Sequence, residues 1–180
     1  MDWKNFKEQF SEHTQFQRIG NNGLMETAFH EAGHALIHVL HGFIPKQASI
    51  ISERDSLGHV ISQFNDFHQY TEFLMEQATE NDDWWSDTQI CEFRILSLLA
   101  GTIAGACYTG RYNWKGGVSD FNQVIDMFLS MGILDITTDI SQTYWDRTTE
   151  LIIENKDLLI KIAHDLYERK TLDESYFELI

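Results

Sequence analysis

The sequence predicts a mainly α-helical fold with a small antiparallel β-sheet. Apolar residues recur at helical spacing over three long segments, at 24–41, 87–108 and 142–180. Two short runs rich in β-branched residues, 48–52 and 59–64, are separated by a charged turn and predict a pair of antiparallel strands. The length of 180 residues and the 43% hydrophobic content fit one domain with a substantial core.

The N-terminal segment, residues 1–20, is predicted to form an amphipathic arm that precedes the domain. It is polar, ends at Gly20, and carries four spaced aromatic residues, which are Trp3, Phe6, Phe10 and Phe16. It lacks the apolar core of a signal peptide. We therefore expect residues 21–180 to form the domain itself.

The first helix of the domain is predicted at 24–41, followed by Gly42 and Pro45 as stop signals. Gly33 lies inside this helix, where glycine costs about 1 kcal/mol relative to alanine. We therefore expect another backbone to pack against Gly33.

The segments after the strands are predicted to be helical. We expect a helix at 70–79, then a long apolar helix at 87–108 in which small residues allow close approach of another backbone. A glycine-rich loop at 111–117 leads to a helix that begins near Ser119 and Asp120. Residues 142–180 predict two or three amphipathic helices.

Charge and cysteine content exclude several classes of protein. With 13 Lys and Arg against 28 Asp and Glu, the formal net charge is −15, which argues against binding to nucleic acid or to an anionic membrane. The two cysteines, Cys91 and Cys107, form no CxxC motif and fit a reducing compartment. The most apolar stretch, 95–107, is short for a membrane span. We expect a soluble, cytoplasmic protein without a transmembrane segment.

The motif HExxH, formed by His30-Glu31-Ala32-Gly33-His34, indicates a zinc site. Histidines four residues apart rise from one helix face, roughly 6 Å apart along the axis, and can bind one metal ion. The intervening glutamate lies beside the metal. We therefore predict that His30 and His34 are zinc ligands and that Glu31 takes a proton from a zinc-bound water.

The third ligand stays open when the residues are considered alone. The pattern HExxHxxGxxH fails, because Ile37 and Leu40 occupy the required glycine and histidine positions. His38 and His41 lie too far along the helix to share the ion and are interpreted as supporting or structural residues. The remaining candidates are acidic residues that lie on other predicted helices, namely Glu72, Glu76, Glu92 and Asp120. Asp120 also fits a first-turn position favoured by the helix dipole.

Residues 27–36, with the hexapeptide HEAGHA, closely resemble the protease domain of the FtsH family of ATP-dependent zinc metalloproteases. The stretch 116–121 (Gly-Gly-Val-Ser-Asp-Phe) is similar to that family's Gly-Ala-x-Asn-Asp-Leu, whose aspartate is the third zinc ligand. The resemblance covers about 25–180 and implies that Asp120 is the third ligand. It also implies a strand pair that includes Ile50-Ile51 and Leu57-Gly58, and C-terminal helices that include 153–159 and 168–172.

The sequence departs from that family in several places. Family members couple this domain to a membrane anchor and an ATPase, and the 180 residues contain no Walker GxxxxGK[ST] motif. Gly105 and Ala106 stand where the family usually has two acids, and Thr102 where it has an arginine. The stretch 52–54 reads Ser-Glu-Arg in place of Pro-Arg-Gly. Because such acids orient ligating histidines, these changes weaken the expected support of the metal site.

Together these observations predict a zincin-like helical metallopeptidase domain with a small antiparallel sheet beside the HExxH helix. We expect a zinc-dependent metalloendopeptidase whose substrates are unfolded or flexible polypeptides that add to the sheet edge. His59 and Tyr108 are candidates for the group that stabilises the oxyanion. The alternatives are a catalytically weak or inactive zinc-binding interaction module, and a peptidase subunit that acts with a separate ATPase or as a homo-oligomer.

Overall fold

Helices dominate the part of the chain that the computed structural model describes, which comprises residues 22–52, 57–62, 87–110, 113, 116–133 and 138–180. The predicted arm at 1–20 and the predicted helix at 70–79 lie outside these residues. In chain order the elements are α1 (Asn22–Leu40), β1 (Gln47–Ser49), β2 (His59–Ile61), α2 (Asp87–Thr109), α3 (Val118–Ser130), α4 (Thr138–Glu154), α5 (Lys156–Arg169), β3 (Thr171–Asp173) and α6 (Glu174–Phe177). The mainly helical prediction is confirmed.

The packing of α1 against α2 forms the centre of the core. A Cβ atom on Gly33 of α1 would lie 2.7 Å from Cβ of Ala104 and 2.8 Å from the carbonyl carbon of Ala100, both on α2. The expectation that another backbone packs against Gly33 is therefore confirmed. This close approach fixes the height and rotation of α1 relative to α2, and with them the positions of the histidines.

Helix α2 is surrounded by other elements, because α1, α3 and α4 all pack against it. Its segment Gln89–Thr109 is long and apolar enough to cross a membrane, yet 89% of its most apolar window is buried inside the fold. Helix α5 also packs against α1 and buries four apolar residues, which are Leu159, Ile162, Ala163 and Leu166. Burial of these apolar surfaces is the main stabilising contribution to such a fold.

The sheet has three antiparallel strands in the order β2-β1-β3. Ala48 in the central strand pairs with Val60 on one side and with Leu172 on the other. The predicted antiparallel pair is confirmed, although both strands are shorter than the predicted 48–52 and 59–64. Because β1 occupies the middle of the sheet, β2 has one strand neighbour among the described residues.

One expectation that came from the resemblance is wrong. Residues 168–172 were expected to belong to C-terminal helices, but α5 ends at Arg169 and Thr171–Asp173 forms the third strand. Lys170 adopts the left-handed conformation with φ of 68°, which ends the helix and redirects the chain towards the sheet. The carbonyl of Lys170 then accepts a hydrogen bond from the backbone N–H of Ile50, at 3.0 Å.

Candidate metal centre

Three predicted ligand side chains converge at one point between α1 and α3. His30 and His34 project from consecutive turns of α1, and Asp120 lies in the first turn of α3, the third residue of that helix. The two Nε2 atoms are 3.1 Å apart. Oδ2 of Asp120 lies 3.2 Å from Nε2 of His30 and 3.6 Å from Nε2 of His34. The three residues thus form a group that could hold a metal ion.

The size of this triangle fits zinc. Zinc binds histidine nitrogen and carboxylate oxygen at about 2.0–2.1 Å, so two ligand atoms of a tetrahedral site lie about 3.3 Å apart. The three observed edges of 3.1, 3.2 and 3.6 Å scatter around that value. Oδ2 of Asp120 is buried and makes no hydrogen bond of good geometry to a described residue. A cation between the three atoms would satisfy it.

A backbone carbonyl orients one of the imidazoles. Nδ1 of His34 lies 2.7 Å from the carbonyl oxygen of Ser97 on α2. A carbonyl can only accept, so Nδ1 carries a hydrogen, and Nε2 is the nitrogen that faces His30 and Asp120 and is left to bind a metal. Metal-ligating histidines are typically held in this way by a partner on the other ring nitrogen.

Gly101 on α2 leaves the space that the two imidazoles occupy. A Cβ atom at this position would lie 2.7 Å from Cε1 of His34 and 2.8 Å from Nε2 of His30. Any side chain there would therefore displace both rings. The small residues of α2 serve two purposes, since Ala100 and Ala104 admit the backbone of α1 and Gly101 admits its histidines.

The charges of the triangle are strongly coupled. Burial alone would raise the pKa of Asp120, but the adjacent imidazoles of His30 and His34 hold it well below its usual range. Burial alone would lower the pKa of His34, yet the adjacent carboxylate of Asp120 raises it to about 9, so a metal ion would have to displace a proton from this imidazole at neutral pH. The carboxylate is thus kept ionised, as a metal ligand must be.

Glu31 is buried on the neighbouring face of α1, with 5% of its surface exposed. A Cβ atom on Gly58, the residue before β2, would lie 2.7 Å from Oε1 of Glu31, so the carboxylate lies directly against this backbone. Burial raises the pKa of Glu31, while the nearby histidines His34, His30 and His59 oppose that rise. A carboxylate with a raised pKa is a stronger base than one in water.

The site opens into a cleft of about 770 Å³, here called the metal cleft, whose walls are α1, α2, α3 and the start of β2. Its volume lies within the range of known ligand sites. The side chains of His30, His34 and Asp120 are 20%, 13% and 15% exposed, so each reaches the cleft. A ligand in the cleft would therefore have access to a metal held by the three residues.

The other predicted candidates have different surroundings. Glu92 forms an ion pair with Arg147 and accepts a hydrogen bond from Tyr144, so the structure does not bring it to the site. Glu72 and Glu76 lie outside the described residues. His38 is buried with its ring edge against Phe93, and burial lowers its pKa to about 3.

Of the two candidates for the group that stabilises the oxyanion, His59 and Tyr108, one lines the metal cleft and the other does not. His59 is part of its lining. Tyr108 stacks on Phe29, with ring centroids 4.9 Å apart, and is not part of the lining. Nδ1 of His41 lies 2.8 Å from the carbonyl oxygen of Ile37, four residues earlier, which is a local contact at the end of α1.

Several residues of the site were not singled out from the sequence. The carbonyl of Ser97 carries no signal, because every residue type supplies one. Gly58 and Gly101 were noticed as small residues, but not as neighbours of Glu31 and the histidines. Beside Gly105 lies the side chain of Glu26, with Cγ 4.0 Å from a Cβ built on that glycine.

Comparison of the chain with protein-family models and with curated proteins finds no match.

Proposed function

We propose that this chain is a zinc-dependent metalloendopeptidase with a zincin-like site, in which His30, His34 and Asp120 hold the ion. The observation that carries the proposal is the triangle of ligand atoms with the buried Glu31 beside it. The resemblance of residues 27–36 and 116–121 to the FtsH family supports the same assignment of ligands.

The number of ligands favours a catalytic ion over a structural one. Structural zinc sites generally have four protein ligands, whereas catalytic sites have three and leave one position open. Among the described residues three ligands meet here, and their side chains reach a cleft large enough for part of a polypeptide. The open side therefore points to where a substrate would bind.

The chain's own groups account for the proton transfers. Zinc bound to the three ligands would polarise the scissile carbonyl and lower the pKa of a water molecule. Glu31 would accept the proton of that water and donate it to the departing amine. Its burial favours this role, because a raised pKa brings the carboxyl closer to the pH at which the enzyme would work.

The substrate is proposed to be an unfolded or flexible polypeptide. The backbone before β2 lies against Glu31, and the residues Leu57–Val60 line the metal cleft. An extended peptide that pairs with β2 would therefore pass beside the general base and the metal ligands. A folded protein would have to open locally before it could adopt this conformation.

The proposal is tested with the zinc-loaded chain and a labelled unstructured polypeptide. We expect cleavage at internal peptide bonds, detected as fragments by mass spectrometry, and we expect it to stop when a chelator removes zinc and to return when zinc is restored. A stable folded protein of similar size serves as the matched substrate and should be cut far more slowly.

Three outcomes distinguish the alternatives. Cleavage that depends on zinc supports an autonomous peptidase. Stoichiometric zinc without any cleavage would contradict the proposal and support a zinc-binding interaction module. Cleavage only after addition of a co-purifying ATPase would identify a peptidase subunit that acts with a separate motor.

A further inference from the structure

The three proposed ligands come from two helices whose backbones have little direct contact. His30 and His34 lie on α1 and Asp120 lies on α3, and each of these helices packs against α2. Among the described elements, α1 and α3 are not themselves a closely packed pair. The distances between Asp120 and the histidines therefore depend on the contacts that hold the start of α3 beside α1. A metal site tolerates only about 0.2 Å of error in its ligand distances, so these contacts decide whether the site forms.

One asparagine joins the two helices through three hydrogen bonds, here called the asparagine bridge. Nδ2 of Asn113, which precedes α3, donates to Oε1 of Glu26 on α1, at 2.9 Å. Oδ1 of the same side chain accepts from the backbone N–H of Gly116, at 3.1 Å. The backbone carbonyl of Asn113 accepts from the N–H of Gly117, at 3.2 Å. One polar group of this residue is thus directed to α1 and two are directed to the start of α3.

Both ends of the asparagine bridge lie close to ligands in the sequence. Glu26 precedes His30 by four residues, so the two side chains share one face of α1. Gly117 is the N-cap of α3, and Asp120 is the third residue of that helix. The carbonyl of Gly117 accepts a hydrogen bond from the N–H of Phe121, at 2.9 Å. The turn that carries Asp120 therefore begins at a residue that the bridge holds.

Helix α2 holds the start of α3 at this point by close packing. A Cβ atom on Gly117 would clash with Oγ1 of Thr102 on α2 and would lie 3.1 Å from Cε2 of Phe121. The hydroxyl of Thr102 is buried and makes no hydrogen bond to a described residue. Packing of this kind stops the start of α3 from moving towards α2, but it does not stop a movement away from α1. Among the described residues, the asparagine bridge supplies the hydrogen bonds that oppose such a movement.

We propose that Asn113 is a positioning residue of the metal site, which holds Asp120 at the distance from the histidines that closes the triangle of ligand atoms. It acts through the backbone at the start of α3. Asn113 is exposed and lines the metal cleft together with Glu26 and Gly116. An exposed asparagine adds little to the core, so its removal should leave the fold stable. This inference deepens the proposed function and rests on Asp120 being a metal ligand.

The first test removes the side chain of the bridge. Asn113→Ala should lower zinc affinity about tenfold, measured by competition with a chromophoric chelator; this is the lower end of the effect of losing a partner that supports a metal ligand. The matched control is Gln142→Ala, which removes a hydrogen bond of 2.8 Å from an amide to the carboxylate of Asp146, outside the metal cleft. The control should bind zinc as wild type does. Both variants should keep the wild-type midpoint of urea unfolding in the metal-free state.

The second test rebuilds the bridge with donor and acceptor exchanged. Asn113→Asp alone sets a carboxylate against that of Glu26, so the two charges repel and zinc affinity should fall at least as far as in Asn113→Ala. Glu26→Gln combined with Asn113→Asp supplies an amide on α1 and a carboxylate before α3. The hydrogen bond can then form again, and the net charge is that of wild type. We expect the combined variant to recover most of the zinc affinity that Asn113→Asp loses.

Two kinds of result would overturn the inference and leave the proposed function intact. The first is equal zinc affinity in wild type and Asn113→Ala. The second is a loss of zinc affinity that follows a lower midpoint of urea unfolding, or that the combined variant does not recover. In that case Asn113 would support the fold as a whole and not the position of Asp120.

A measurement on the metal-free protein separates the two proposals. Hydrogen exchange at the amide of Phe121 reports the opening of the first turn of α3, because this amide donates to the carbonyl of Gly117. We expect exchange about two- to tenfold faster in Asn113→Ala than in wild type or Gln142→Ala, the effect of losing a neutral hydrogen bond. That result would support the role of Asn113 even if wild type bound no zinc, in which case the proposed function alone would fail. Unchanged exchange would overturn the inference.

Discussion

The substitution Gly101→Ala separates the stability of the fold from the integrity of the proposed metal site. Helix α2 is buried and regular at this position, and alanine stabilises a helix interior by about 1 kcal/mol relative to glycine. The added Cβ, however, would lie 2.7 Å from Cε1 of His34 and 2.8 Å from Nε2 of His30. Ordinary contacts of a Cβ begin near 3.4 Å, so the ring of His30 must retreat by about 0.6 Å and the ring of His34, whose Nε2 is nearer still, by more than about 0.7 Å.

Such a displacement exceeds what a zinc site tolerates. Metal–ligand distances in working sites lie within about 0.2 Å of their standard values, and even the loss of a supporting partner costs about 10–100-fold in affinity. We therefore expect zinc affinity to fall by at least that factor. The hydrogen bond from His34 to Ser97 would be strained by the same movement, which adds to the loss.

The control is Gly105→Ala, one helical turn further along α2. A Cβ there would lie 3.9 Å from the carbonyl oxygen of Glu26 and 4.0 Å from its Cγ, both ordinary contacts. This variant should gain the helix stabilisation and keep its zinc. Zinc affinity is measured by competition with a chromophoric chelator, and stability by urea unfolding of the metal-free proteins. Equal zinc affinity in Gly101→Ala and Gly105→Ala would refute the assigned geometry.

Three further predictions concern the core and the site. Gly33→Ala should lower the free energy of unfolding by about 1–3 kcal/mol in urea, because its Cβ would meet the backbone of Ala100 and Cβ of Ala104; unchanged stability would contradict the close packing of α1 on α2. Between pH 7.5 and 4.5, wild type should lose about 3 kcal/mol of stability relative to His38→Leu. Below a pKa of about 6.5 this histidine binds a proton in the unfolded chain, whereas burial lowers its pKa to about 3 in the folded protein and keeps it neutral; parallel stability curves in urea would disprove this. Asp120→Asn should reduce zinc affinity at least tenfold by chelator competition while its circular dichroism stays that of wild type, and retention of tight binding would exclude Asp120 as a ligand.

The parts of the fold that follow from local periodicity are the parts that the sequence predicts well. The bounds of α1 and α2 are within about two residues of the predicted helices, because long apolar stripes with clear ends determine them. His30 and His34 share a helix, so their proximity follows from helical geometry alone. Gly33 was correctly interpreted, since an interior glycine in a buried helix needs a packing partner.

The position of Asp120 beside the histidines and the strand β3 could not be derived from the residues alone. The residues alone leave Asp120 indistinguishable from any first-turn aspartate, because its meeting with the histidines depends on how α2 and α3 pack. The end of α5 was missed because the left-handed position that ends it carries Lys170, where glycine would have been the recognisable signal. Ser97 contributes its backbone carbonyl to the site, and because every residue type has this group, the sequence does not identify it.

The most direct test of the central claim compares wild type with Glu31→Gln at equal zinc occupancy. Glutamine has nearly the same shape as glutamate and cannot accept the proton, so zinc should remain bound and the fold unchanged. We expect the rate of polypeptide cleavage to fall by about 10²–10⁴-fold, the usual contribution of a general base. Equal rates for the two proteins, with zinc bound in both, would contradict the account.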